Sequence, residues 1–226
     1  QEQVLELLPP ATAEEIAALE ASLPSSLPAE IREALEVSKG FSTGPLESLC
    51  LIDDGGFGME DVFPHSHAIG HDGFGNYWVD DLQPDEATWG PVFFACHDPP
   101  VIAYQCDTVS QFVRDVVALW QPGSRSPVDV VHEDVTMEIW RSNSGIIDHA
   151  AARASTDPVL SAFAADFPGD AFFADLRAPR MGDGFSWGRF GPRDEWVRCS
   201  TERLFAIVPQ RRRGLLARIF NRTGSR

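Results

Sequence analysis

The stretch GHDGFGNYWVDDL, residues 70–82, decides between fold classes. Its glycines at 70, 73 and 75 look at first like a phosphate cradle, which needs a strand, a glycine-rich loop and then a helix whose N-terminus faces the anion. Here Gly75 is followed by Asn76, Tyr77, Trp78 and Val79, aromatic and β-branched residues that open a strand. A Walker lysine is missing, the chain's single lysine being Lys39, and Asp72, Asp80 and Asp81 would repel a phosphate. Nor does the spacing of the aspartates fit a calcium loop, because an aromatic strand stands where the later ligands and the final glutamate belong. The stretch therefore reads as a hairpin, with Asp-Gly and Gly-Asn supplying the positive φ of its turn.

Outward from this hairpin, short apolar or alternating runs are divided by Gly, Asp and Pro: 49–52, 68–70, 76–82, 91–96 and 101–105. These are expected to be strands of an antiparallel or mixed sheet. Two helices precede them. Thr12 and Glu15 form a capping box ahead of Ile16, Leu19 and Leu23 at helical spacing, and Pro24 ends that helix. Pro28 suits the first position of a second helix, with Ile31, Ala34 and Leu35 on one stripe and Gly40 at its end. A closing helix follows the strands: Thr108 and Gln111 form a second box, and Val109, Phe112, Val113, Val116, Val117 and Trp120 recur at helical spacing. Helices, sheet, helix: the expected class is α+β.

The 226 residues fit one large domain or two small ones. Seven residues at 121–127, QPGSRSP, make a poor helix or strand, so a boundary is expected there, between a domain at 1–122 and a second, smaller α+β segment at 123–226. In that segment 128–140 reads as one or two strands, Asp157-Pro158 as the start of a short helix, and 185–190 and 196–208 as strands. The tail QRRRGLLARIFNRTGSR, 210–226, is basic and amphipathic; such a pattern can touch an anionic membrane or nucleic acid, but it reads first as a helix docked by its Leu/Ile/Phe face.

Charge divides at the same place. Residues 1–122 hold 21 acidic side chains against three basic ones (Arg32, Lys39, Arg114), and 123–226 hold 13 against 15, together giving the net −16. An acidic half of this density disfavours nucleic acid and anionic membrane, and favours a basic protein partner through long-range steering. The longest apolar runs, such as 92–96, fall far short of the roughly 18 residues that span a bilayer. The opening QEQVLELLPP is not built like a secretion signal, and Cys50, Cys96, Cys106 and Cys199 are scattered, as expected of reduced thiols in a cytosolic protein.

Catalytic patterns are sparse. His65, His67, His71 and Asp72 are suitable metal ligands, and a metal-dependent hydrolase could be built on them, but their spacing fits neither H-E-x-x-H nor a Cys/His finger. No G-x-S-x-G elbow occurs, and adjacent Cys96, His97 and Asp98 on a strand point to alternate faces. Close carboxylate pairs are what 34 acidic residues produce by chance. Neither a catalytic centre nor a cofactor or metal is expected. Trp89-Gly90-Pro91 opens a strand and reads as a core anchor with a turn.

The order of these motifs resembles the SUKH superfamily, which includes Smi/Knr-type fungal cell-wall assembly regulators and bacterial toxin-immunity domains. Ile16, Leu19, Glu20, Leu27, Pro28, Leu35 and Gly40 occupy the places of its opening helices, and Ile69, Gly70, Asp72, Gly73, Gly75, Asn76 and Asp80 those of its I-G-x-D-G-x-G-N segment. WGPVFF (89–94) and TVSQFVRDVVALW (108–120) resemble the later strand and closing helix, over about residues 8–120 in all. At the start of that helix Val109 or Gln111 stands where the family more often has a serine-aromatic pair. The resemblance implies a binding domain rather than an enzyme: an immunity protein that neutralises a secreted toxin, often a nuclease, by direct contact, or a regulatory scaffold like the fungal members. Asp53, Asp54, Glu60, Asp61, Asp85 and Glu86, in the loops of the acidic half, are the expected contacts for a basic toxin domain, while Gly70, Asp72, Gly73, Gly75, Asn76, Trp89 and Gly90 carry the family motifs structurally.

Overall fold

A computed structural model describes residues 6–42, 48–52, 56–82, 89–121, 123, 125–191 and 194–210. In chain order the elements are β1 (Glu6–Leu7), α1 (Ala13–Ser22), α2 (Ala29–Val37), β2 (Gly40–Ser42), β3 (Ser48–Cys50), β4 (Ser66–His71), β5 (Tyr77–Asp81), β6 (Val92–His97), β7 (Pro100–Cys106) and α3 (Val109–Val117). There follow α4 (Pro127–Asp129), a π-helical turn (Val130–Val135), α5 (Thr136–Ser142), β8 (Ile147–Asp148), α6 (His149–Arg153), α7 (Pro158–Ala165), β9 (Phe172–Asp175), β10 (Gly184–Ser186), β11 (Glu195–Arg198) and β12 (Leu204–Val208). The class is α+β, and every strand pair described is antiparallel.

Eight strands form one sheet, β1-β2-β3-β4-β5-β6-β7-β10, and four form another, β11-β12-β9-β8. The strand period of two separates the cores. Ile69, Trp78, Phe94, Val101 and Ala103 turn one way, into a core with Ile16 and Leu19 of α1, Ile31 and Leu35 of α2, and Phe112 and Val116 of α3. Their neighbours Ala68, Val79, Phe93, Ala95, Ile102 and Tyr104 turn the other way, against Ala174, Phe205 and Ile207 of the second sheet. A sheet covered on both faces needs apolar residues on both, which is why 92–96 reads as an unbroken hydrophobic run.

Local signals act as their chemistry dictates. The α1 capping box is complete, with Glu15 N–H donating to Thr12 Oγ1 at 3.1 Å and Thr12 N–H to Glu15 Oε2 at 2.8 Å. Pro28 stands one place earlier than expected, as the extended residue before α2. Thr108 Oγ1 caps Gln111 N–H at 3.1 Å, and α3 ends in a 3-10 turn at Ala118–Trp120.

Residues 128–140, expected as strand, are instead most of a helical rod formed by α4, the π turn and α5. Ser126 caps Val128 N–H and Pro127 takes the first turn. Val128, Val131 and Ile139 then fall on one helical stripe and bury in the α1–α3 core. That burial overrides the β preference of the run's valines. The strand expected at 185–190 is three residues, Gly184–Ser186, and 196–208 is a hairpin of two strands rather than one. The sheet also crosses the composition break: β10, from beyond Pro127, pairs with β7 and places Phe185 in the core between the sheets. The basic tail at 211–226 lies outside the described residues. Among the described residues no helix is long and apolar enough to cross a membrane.

Candidate functional site

Antiparallel register gathers the turns at two opposite ends of the large sheet. The β4–β5 turn (72–76) and the β6–β7 turn (98–99) lie at one end, since Tyr77 pairs with both His71 and Ala95. At the other end lie the strand ends flanking the long β3–β4 and β5–β6 connections, and the approach to α3.

The first end is held by the residues of the family motif. Asp72, 4% exposed at its side chain, accepts Phe74 N–H at 2.8 Å and Asn76 N–H at 3.2 Å on Oδ1. Its Oδ2 accepts Asn76 Nδ2–H at 2.6 Å and faces His132 Nε2 at 3.3 Å. Burial acts to raise the Asp72 carboxyl, but the Asn76 side chain, the two amides and His132 outweigh it and hold it below the ordinary aspartate value. Because Asn76 spends its amide hydrogens on Asp72, its Oδ1 is the acceptor for His97 N–H at 3.0 Å and for His97 Nδ1 at 2.9 Å, which must carry the proton. Gly73 (φ +77°) and Gly75 (φ +87°) make the turn; a Cβ at Gly75 would sit 3.3 Å from the His97 ring. His132 comes from the π turn, its ring against Trp78 and Phe94 with centroids 5.8 and 5.2 Å apart. The insertion of a π turn thus brings a residue from beyond 122 onto the motif aspartate. On this braced turn Phe74 is 81% exposed.

Gly70, beside a β-bulge in β4, would bring a Cβ within 3.2 Å of Ser48 O. Trp89 is buried beside His67, and Gly90 (φ +135°) lies so close to Asp107 that a Cβ would fall 2.0 Å from its carbonyl oxygen. These are packing contacts.

The histidines do not converge. His67 Nε2–H donates to Leu51 O at 3.0 Å, whereas His71 Nδ1 accepts Gly73 N–H at 3.2 Å at the far end of the strand. Among the described residues no three His, Cys, Asp or Glu side chains are grouped to hold a metal ion, so a hydrolase centred on His65, His67 and His71 has no geometric basis. Burial pushes the Cys96 thiol up to about 11 and the Cys106 thiol up to about 12, the opposite of an activated nucleophile.

Of the expected partner contacts, Glu60 and Asp61 are exposed in the β3–β4 connection. Glu60 Oε1 accepts Phe57 and Gly58 N–H at 2.8 and 3.1 Å; its own amide lowers its carboxyl most, burial opposes, and the Gly58 and Phe57 amides tip the balance downward. Asp53, Asp54, Asp85 and Glu86 lie outside the described residues. Sequence reasoning missed the arginines that meet this end. Asp81, 1% exposed, takes a two-pronged bond from Arg198 (2.7 and 2.9 Å) and another from Arg203 Nε–H (2.7 Å). Beside it Arg177, Arg180 and Arg203 line a groove of about 490 Å³ with Gly90, Pro91 and Asp107, and Arg177 is already engaged by Asp157 and Asp175. The split in charge between the halves was the available signal, but pairing across 117 and 122 residues is invisible to local patterns.

From Gly40 to Val113 the chain carries 12 carboxylates and neither lysine nor arginine, over 74 residues that include the six central strands of the large sheet. Two helices, an antiparallel meander and a closing helix, with motif residues spent on bracing turns, define an α+β domain of the SUKH class. Residues 10–115 match the model of the SMI1 / KNR4 family (SUKH-1). No curated protein and no solved structure matches the chain. Residues 116–226 fall outside the family match.

Proposed function

We propose that this chain is a non-enzymatic protein-binding module of the immunity kind, which neutralises a cognate toxin by docking an acidic surface on it. The family, generally non-catalytic, includes immunity proteins. The observation that carries the reading to this chain is the 74-residue stretch with 12 carboxylates and no cation. The partner is a basic protein domain, of which a nuclease is the natural case, because an acidic protein can occupy the surface that such an enzyme turns toward nucleic acid. Glu60 and Asp61, with Asp53, Asp54, Asp85 and Glu86 of the same sequence region, steer the encounter. The protein acts in the cytoplasm, without cofactor, and engages neither nucleic acid nor membrane through its acidic half.

Long-range attraction between opposite charges speeds association and fades as salt shortens the Debye length from about 10 Å at 0.1 M to about 3 Å at 1 M. The test asks whether a gene adjoining its own encodes a toxin with a basic C-terminal domain, whose absence counts against the reading, and then measures the association rate of the full chain with that domain across the same salt range. A rate that falls at least tenfold supports the reading; a complex formed equally fast at both salts removes its electrostatic basis.

A further inference from the structure

We infer that the outer face of α2, together with the adjoining strand β1, is the docking surface of this chain, and that its occupant is a cationic protein segment carrying an apolar side chain. The inference rests on the reading above and adds the place where the basic partner sits.

Helix α2 turns Ile31 and Leu35 into the core and leaves Glu30, Glu33 and Val37 on an exposed stripe at i, i+3 and i+7, with Glu36 beside it. Val37 is 70% exposed. The chain ahead of α1 runs back along the end of this helix: Lys39 N–H donates to Pro9 O at 3.0 Å, and Leu8 N–H to Gly40 O at 2.9 Å. Leu7, 58% exposed, pairs with Phe41 of β2, so both side chains lie on the sheet face that α1–α3 cover. A single exposed apolar residue is ordinary in itself. Here two large ones flank one junction, at an outer strand of the eight-stranded sheet.

Charge complementarity identifies the occupant. Residues 1–39 hold eight carboxylates against two cations, Arg32 and Lys39. Both cations are spent on α1, Arg32 on Glu20 at 2.7 Å and Lys39 on Glu15 at 2.9 Å. Glu6, beside Leu7, and Glu30, Glu33 and Glu36 of the Val37 helix are exposed and make no ion pair among the described residues. An apolar centre with a charged rim is the anatomy of a protein interface. The surface also adjoins the acidic connection. Leu51 N–H donates to Lys39 O at 2.8 Å, so the β3–β4 connection that carries Glu60 and Asp61 leaves the sheet beside the end of α2. A cationic partner steered by those carboxylates arrives where Leu7 and Val37 can be covered, whereas the acidic half of a second copy would meet like charge.

The experiment measures association and dissociation rates of full chains with the basic toxin domain that an adjoining gene encodes, at low and high salt. Val37→Ser is expected to weaken binding by about tenfold, through faster dissociation and with an unchanged salt slope, and Val37→Ile to bind like the wild type. The triple variant Glu30→Gln/Glu33→Gln/Glu36→Gln instead slows association at low salt by about threefold or more and flattens its salt dependence. Val159→Ser, at an exposed apolar residue of α7, changes neither rate. The melting temperature of Val37→Ser matches the wild type, since the side chain is solvated. If the wild type binds and both Val37→Ser and the triple variant bind like it, the surface is wrong while the acidic reading stands. If no adjoining gene encodes such a domain, or the wild type does not bind it, that reading fails and takes the surface with it. Self-association of the free protein that disappears in Arg211→Ser/Arg212→Ser/Arg213→Ser overturns the inference in favour of a second copy, docked through its basic tail.

Discussion

Asp72 shows how a single carboxylate can serve a family motif without chemistry. Four donors converge on it, from Phe74, the backbone and side chain of Asn76, and His132, and together they hold its carboxyl below the ordinary value of 3.8 despite burial. A group whose folded pKa is depressed contributes stability above its unfolded value and loses it as pH falls through the folded one. Asp72→Asn is therefore expected to destabilise the protein by about 1–3 kcal/mol near neutral pH. The gap from wild type should close as pH drops below 3.8. Urea midpoints of both proteins at a series of pH values check this, and a gap that stays constant to low pH would disprove it. The motif was legible in the sequence, since Asp-Gly and Gly-Asn announce a turn. The partners His97 and His132 were not: one sits on a neighbouring hairpin and the other 60 residues away on a rod whose valines resemble a strand.

At the scale of elements, the two sheets are joined by charge as well as by apolar contact. Asp81 closes β5, Arg198 closes β11, and Arg203 precedes β12, so one buried carboxylate is shared by two guanidinium groups from the facing sheet. Arg198 also lies within 6 Å of the Phe63 and Phe205 ring centroids, at 5.7 and 5.8 Å. Removing one member of such a group leaves the others buried and uncompensated, so Asp81→Asn is expected to cost about 3–5 kcal/mol, read as a shift in the urea midpoint. A shift below about 1 kcal/mol would mean that the arginines reach water instead. The strands and capped helices of the first half were legible because periodicity and caps are local. Short strands β8 to β10 were harder, since two to four residues between turns carry no period, and their place in a sheet is set by distant partners such as Ile102 for Phe185.

For the whole molecule, the family match ends at residue 115 but the cores do not. Val128, Val131 and Ile139 complete the core beneath α1–α3, and Ala174, Leu176, Phe185, Phe205 and Ile207 complete the one between the sheets. We propose that the two halves fold as one cooperative unit rather than as separable domains. A fragment of residues 1–122 would expose one face of its sheet and strip Asp81 of both guanidinium partners. It is expected to bind the dye ANS and unfold without a sigmoidal urea transition, whereas the full chain shows a single one. A fragment that melts sharply by itself would establish the opposite. The same arrangement bears on synthesis. Because β5 is finished about 120 residues before the guanidinium that neutralises its last residue, the large sheet cannot settle until the second sheet has been synthesised. Chains that stop before Arg198 would leave this carboxylate without either guanidinium and are expected to be cleared by proteases instead of accumulating.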